Sequence, residues 1–287
     1  MRKLLIVIMI VGLLSVGFAA KVGLSVSTLN NPFFVTLKNG AEEKAADLGV
    51  EITVVDARDN AAKQLNDIQD LIQRKVDLLI INPTDSDAIV TAIEDANNAG
   101  IPVITVDRGA NGGDVLVHIA SDNVAGGAMA AEFLAGKIHQ KGKVVELVGI
   151  PGTSAARDRG KGFETKLKDY PDIELVAKQS ANFNRAEGLK VMENILQAHP
   201  DIDAVFAQND GMALGAVEAL RAAGKLDEVV VVGFDAIDDA VKAVEKGEMA
   251  GTIAQQPALM GEMAVEKAYN FLETGTVYIP VDLKVVQ

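Results

Sequence analysis

The sequence predicts an α/β protein built as two parallel-sheet lobes. Short β-branched runs alternate with amphipathic helical stretches from Lys21 onward, and the same rhythm restarts after Asn123. Polar and aromatic residues gather just after the strand-like runs in both halves. The run at 78–81 is apolar throughout, as suits a central parallel strand covered on both faces.

Taken in order, a strand at 22–27 precedes a helix in which Phe34, Leu37, Ala41, Ala45 and Leu48 recur at helical spacing until Gly49 stops it. Asn31 suits the N-cap and Pro32 the first helical position. The adjacent Phe33 and Phe34 are then only partly explained, because a helix facing one core buries one of two neighbouring positions. A strand at 52–55 follows, and Asn60 caps a helix to Lys75 with Leu65, Ile68, Leu71 and Ile72 inward. Strand 78–81 lies between Asp77 and the Asn82-Pro83 turn. A helix over about 87–99 ends at Gly100, and strands occupy 102–106 and 115–120. The second half reads as helix 123–138, strand 144–148, a helix through Leu167, strand 175–177 and helix 187–197. Strand 204–207, helix 212–223, strand 229–232, helix 238–245 and strand 252–254 complete it. There is no low-complexity linker and no repeat of fixed period.

Arg2 and Lys3, the apolar run 4–14 and small residues through Ala20 predict a cleaved export leader. The apolar stretch falls short of the roughly 20 residues that span a bilayer. Its removal leaves 267 of 287 residues and takes the formal charge from −13 to −15, since the leader holds two bases and no acids. That acidity disfavours nucleic acid as a partner. The chain contains no cysteine, which excludes a thioether-linked lipid anchor and any disulfide. A soluble periplasmic location is expected.

Ser27, Asn31, Asn82, Asp107, Arg108, the stretch 151–159, Phe183, Gln208, Asn209, Asp210 and Asp235 all follow strands. In open parallel sheets, ligands bind outside the carboxyl ends of the strands, so this placement predicts a site between two facing lobes. The stretch 27–34 joins hydroxyl, amide and aromatic groups. A sugar requires that combination, offering hydroxyls that need hydrogen-bond partners and C–H faces that need an apolar plate. Arg157 and Arg159 lie two apart and point in different directions on a helix, so at most one reaches the pocket. Gln255 ends the last strand before Pro257. Any one of these residues could instead serve only as a cap or turn residue.

Enzyme parts are scarce. There is no phosphate-binding Gly-x-x-x-x-Gly-Lys loop, and Gly160-Lys161-Gly162 lacks the third glycine of a dinucleotide fingerprint. His118, His139 and His199 show no metal-ligand spacing, and 56–60 lacks the glycine and glutamate of a calcium loop. No cofactor or metal is expected. A sugar-responsive repressor would need a DNA-reading helical module where this chain has its leader.

Across nearly all of 21–283 the chain resembles the periplasmic sugar-binding proteins of bacterial ABC importers, most of all the ribose-binding members. The resemblance rests on 27–34, 82–87, 106–108, 119–123, 152–160, 207–210, 233–235 and 252–255. It implies two Rossmann-like lobes joined by a multi-strand hinge, the type I architecture, with crossovers near Ser121-Asp122, Gln255-Gln256 and Asp282. The N-terminal lobe would then comprise 21–121 and 256–281, and the C-terminal lobe 122–255 and 282–287. It implies that Asn31, Asp107, Arg108, Arg159, Asn209, Asp235 and Gln255 hydrogen-bond the sugar, with Ser27 nearby. Phe33 and Phe34 would line one side of the ring and Phe183 the other. The implied ligand is D-ribose, before another pentose, allose or a furanose-like signalling molecule. The implied partners of a monomeric, non-enzymatic binder are an importer permease and a chemoreceptor. Two positions depart from the family pattern: Gly211, where an acid is frequent, and Ala236, where glycine is.

Overall fold

The structure is a computed structural model that describes residues 20–277. The expected leader, apart from Ala20, and the expected crossover at Asp282 lie outside those residues.

The first lobe is built from β1 (Lys21–Val26), α1 (Pro32–Leu48), β2 (Glu51–Asp56), α2 (Ala61–Gln73), β3 (Leu78–Ile81), α3 (Val90–Asn98), β4 (Val103–Val106) and β5 (Val117–Ile119). The second is built from α4 (Asn123–Lys137), β6 (Gly142–Val148), α5 (Ser154–Leu167), β7 (Ile173–Ser180), α6 (Arg185–Ala198), β8 (Ala204–Ala207), α7 (Asp210–Ala222), β9 (Val230–Asp235), α8 (Asp238–Glu245) and β10 (Gly251–Ala254). A last helix, α9 (Pro257–Thr274), follows. Each lobe holds one five-stranded sheet, ordered β2-β1-β3-β4-β5 and β10-β9-β8-β6-β7, with all recorded pairings parallel.

Alternation along the strands divides each core into two layers. Leu78 and Ile80 face Leu37, Met260 and Val265, whereas Leu79 and Ile81 face Ile68, Leu71 and Ile93. In the second lobe Val145 and Leu147 pack with Met192, Met212 and Leu220, and Val144 packs with Phe206, Phe163 and Leu134. Side-chain caps fix the helix starts that bear on the cleft. Asn31 Oδ1 accepts from Phe33 N at 3.0 Å, Thr153 Oγ1 from Ala156 N at 3.3 Å and Asn209 Oδ1 from Met212 N at 2.9 Å. Each such cap stabilises its helix by about 1 kcal/mol.

Three expectations shift. The helix expected from about 87 begins at Val90, because Asp85 Oδ1 takes the N–H groups of Asp87 and Ala88 in a separate turn. The strand expected at 175–177 extends over Ile173–Ser180, where an edge strand tolerates polar Glu174 and Lys178. No element was expected beyond 254, yet α9 returns to the first lobe and lays Met260, Ala264, Val265 and Ala268 in the same core as Phe33, Leu37 and Ala41.

Three helix pairs pack at glycine contacts so close that a Cβ cannot enter. A Cβ on Gly261 would fall 2.1 Å from the Leu37 carbonyl oxygen, on Gly127 2.1 Å from that of Arg159, and on Gly215 2.2 Å from that of Arg185. The second of these sets α4 against α5, and with α5 the position of Arg159.

Candidate binding site

The carboxyl ends of both sheets face one shared cavity. Asn31, Phe33 and Phe34 enter it from the start of α1, and Asp107 and Arg108 from the turn after β4. From the other lobe come Ala155 and Arg159 on α5, Phe183 between β7 and α6, Asn209 capping α7 and Asp235 ending β9. Of the residues singled out in the sequence, Ser27 and Gln255 stand behind this wall. Ser27 is buried just past the end of β1 with its hydroxyl unpartnered, and Gln255 Nε2 donates to Asp235 Oδ1 at 2.7 Å. Arg157 does not line the cavity, in keeping with a spacing that lets at most one of the two arginines enter. Its guanidinium reaches Asn111 Oδ1 at 3.2 Å on the cleft rim.

The two arginines are held firmly. Arg159 Nε donates to Asn123 Oδ1 at 2.8 Å and Nη1 to the Gln208 carbonyl at 2.7 Å. Its guanidinium lies 3.9 Å from the Phe234 ring centroid and 3.5 Å from Asp235 Oδ1. The Arg108 guanidinium sits between aromatic rings of opposite lobes, 5.1 Å from the Phe34 centroid and 5.2 Å from that of Phe183, a cation–π arrangement. Asp107 Oδ2 accepts from Asn82 Nδ2 at 3.2 Å and lies 3.8 Å from Arg108 Nε. Phe33 and Phe34 are both buried, meeting edge to face at 5.2 Å, and each belongs to the first-lobe core while also lining the cavity.

Burial dominates the charges. It raises the Asp107 carboxyl against the opposing pull of Arg108. It also pushes Asp235 up to about 8, with Arg159 opposing and neighbouring Asp210 adding to the rise. Asp210, whose oxygens accept from Thr252 Oγ1 at 2.6 Å and Ile237 N at 2.9 Å, is pushed up to about 7 by burial. The backbone is unusual where the site forms. Asp107, Phe183, Asp235 and Ala236 have φ of 60°, 56°, 121° and 58°, values that disfavour side chains. Ala236 therefore occupies a left-handed turn that glycine would adopt without strain. Gly211 lies in the first turn of α7, where a Cβ would meet only ordinary contacts at 3.4 Å and beyond.

Sequence reading passed over the rim and much of the bracing. Ser86 N donates to the Gly152 carbonyl at 2.9 Å, Ser154 N to Ser86 Oγ at 3.1 Å, and Gly109 N to Ser154 Oγ at 2.8 Å. These bonds join the lobes directly. Nothing in a lone serine reports such a distant partner. Asn82 and Gln208 were legible as polar strand ends, but not their bonds to Asp107 and Glu146. Among the described residues there is no His, Cys, Asp or Glu group suited to a metal ion, and no helix long and apolar enough to cross a membrane.

A cavity walled by both lobes, with acceptors, forked donors and aromatic plates facing inward, defines a two-lobed solute-binding protein. Residues 22–276 match the periplasmic binding protein domain, and the chain belongs to that family. It is 53% identical over 251 residues to the ribose import binding protein RbsB of Bacillus subtilis, covering 88% of this chain and 81% of that one. It is also 53% identical over 267 residues to RbsB of Escherichia coli, covering 92% and 90%. Among solved structures, the Caulobacter myo-inositol binding protein with myo-inositol bound is 37% identical with a TM-score of 0.87, covering 92% and 91%. A solute binding protein of Actinobacillus succinogenes with bound D-allose is 36% identical with a TM-score of 0.85, covering 91% and 93%.

Proposed function

We propose that the protein captures D-ribose in the periplasm, between its two lobes, and delivers it to an ABC importer. The observation that carries this reading is the cavity in which Asp107 and Arg108 of one lobe face Arg159, Asn209 and Asp235 of the other. Carboxyl oxygens accept from sugar hydroxyls and guanidiniums and amides donate to the sugar's oxygens, while Phe33, Phe34 and Phe183 cover the C–H faces. Gln255 acts by orienting Asp235. The similarity to ribose import binding proteins supports ribose as the sugar.

On this reading residues 1–20 are an export leader. The lobes comprise 21–121 with 256–281 and 122–255 with 282–287, and the crossovers act as a hinge. Sugar binds one lobe, the lobes close, and the closed surface is what a permease, and a chemoreceptor where one is present, recognises. The protein works as a monomer and returns its sugar unchanged. A second reading keeps this mechanism with another pentose, the hexose allose or a furanose-like signalling molecule as cargo, and the allose-bound relative favours allose among these.

Titration calorimetry of the mature protein against a sugar panel tests both readings. D-ribose binds one per chain with a Kd on the order of micromolar or tighter, about −8 kcal/mol or better. At roughly a thousandfold excess over Kd it adds about 4 kcal/mol of stability in a thermal shift. Response to a different sugar alone reassigns the cargo, and silence toward every sugar overturns the function.

A further inference from the structure

Glu146 is a carboxyl that sugar capture has not yet used. It stands within the apolar run 144–148 of β6, fully buried on the face that packs against α5. An isolated ionised carboxyl is costly there, so its partners should reveal what retains it. Oε1 accepts from Gln208 Nε2 at 2.7 Å, while Oε2 is buried with no partner. Gly160 on α5 makes room for the pair, since a Cβ there would come within 3.0 Å of Gln208 Nε2 and 3.2 Å of Glu146 Oε1.

Gln208 links that carboxyl to the site in two directions. Its side-chain Oε1 accepts from Gly149 N at 2.9 Å, where the loop leading to Gly152 and Ser154 on the rim begins. Its main-chain carbonyl accepts from Arg159 Nη1 at 2.7 Å. An amide side chain bound at both ends cannot rotate, so the acid fixes the end of β8 against the guanidinium.

We infer that Glu146 is a positioning residue for sugar capture, acting through Gln208 to hold Arg159 and the rim loop in their binding geometry. The inference rests on the sugar-binding reading of the site. Its surroundings make the hold adjustable. Lys178 lies directly across from Glu146 on β7, but its ammonium is paired with Glu164 of α5, leaving two acids and one base facing each other. Burial, partly offset by the Gln208 bond and Lys178, pushes the Glu146 carboxyl up to about 7. Near neutrality the charge on this acid therefore changes, and with it the strength of its grip on Gln208.

The test compares Glu146→Leu and Glu146→Gln with wild type, reading ribose affinity by calorimetry and the Gln208 side-chain amide and Arg159 Nε by ¹⁵N NMR in the sugar-free protein. Glu146→Leu leaves the Gln208 amide without its acceptor and weakens ribose binding about tenfold, while Glu146→Gln stays within about threefold of wild type. The Gln208 amide shifts with pH in wild type, with a midpoint near 7, and is stationary in Glu146→Gln. Asp210 and Asp235 titrate in the same region, so the amide bonded to Glu146 is the discriminating probe. A folded Glu146→Leu protein with wild-type affinity overturns the inference, as does a Gln208 amide that titrates equally in Glu146→Gln. If Glu146→Leu does not fold, the NMR comparison alone decides. If wild type binds no sugar, the proposed function falls, while the link from Glu146 to Arg159 is still read in the free protein.

Discussion

Asn31 and Asn209 each use one side chain for two tasks, capping a helix and walling the cavity. The cap fixes the amide's orientation before any ligand arrives, so no rotamer freedom is lost on binding. This is also why single asparagines could not be assigned from sequence: the capping and binding roles fall to the same side chain. Helical geometry allowed only one of Arg157 and Arg159 into the pocket and the family resemblance chose Arg159, but Glu146 was not legible, because a lone acid in an apolar run does not announce its partner. Phe183 offers a clean test of the apolar plate. Phe183→Ala weakens sugar binding by roughly 1–3 kcal/mol through lost contact, and calorimetry showing unchanged affinity would place the ring outside the sugar's reach. The acid at 235 has a pH signature. Its carboxyl is raised in the folded protein, so the fold holds a proton that the unfolded chain releases between about 4 and about 8. That contribution to stability is full below this window and is lost as pH rises through it. Asp235→Asn does not titrate, so its melting temperature relative to wild type rises across the same window. A difference between the two that is flat with pH would show that Asp235 ionises freely.

At the scale of elements, strand and helix order were readable because parallel βα units combine apolar runs with capped amphipathic helices. α9 escaped because it begins at Pro257 with no side-chain cap, and exposed Leu259 and Met263 blur its buried stripe. What the sequence could not convey is how tightly helices meet. The Gly127 contact brings α4 onto the backbone of α5 at the very residue whose guanidinium enters the cleft. Gly127→Ala must push the helices apart, costing about 1–3 kcal/mol of stability. It also weakens sugar binding, because Arg159 moves with its helix. Denaturant unfolding and calorimetry on the same protein check both effects, and a destabilised variant with intact affinity would separate the helix contact from the site.

Over the whole molecule, two sheets and one cavity were foreseeable from polar strand ends, but the contact between lobes was not, since it depends on how far they close. The rim bonds of Ser86 and Ser154 cross from lobe to lobe without passing through the cavity, so they favour the closed arrangement. Replacing both serines by alanine removes bonds worth about 1 kcal/mol each. The sugar-free double variant then shows a larger radius of gyration by small-angle scattering and binds ribose more weakly, while the ribose-saturated form is as compact as wild type. An unchanged sugar-free radius would mean the rim exerts no pull. The same rim also sets a clock. On the proposed clamp, a sugar enclosed between Arg108, stacked on rings from both lobes, and Arg159, pinned at three points, leaves only when the serines part. Its dwell time is then the waiting time for opening, and rim substitutions should appear chiefly in the dissociation rate. A carrier that holds its cargo this way releases it promptly only where something else pries the rim apart, which ties unloading to the place of delivery.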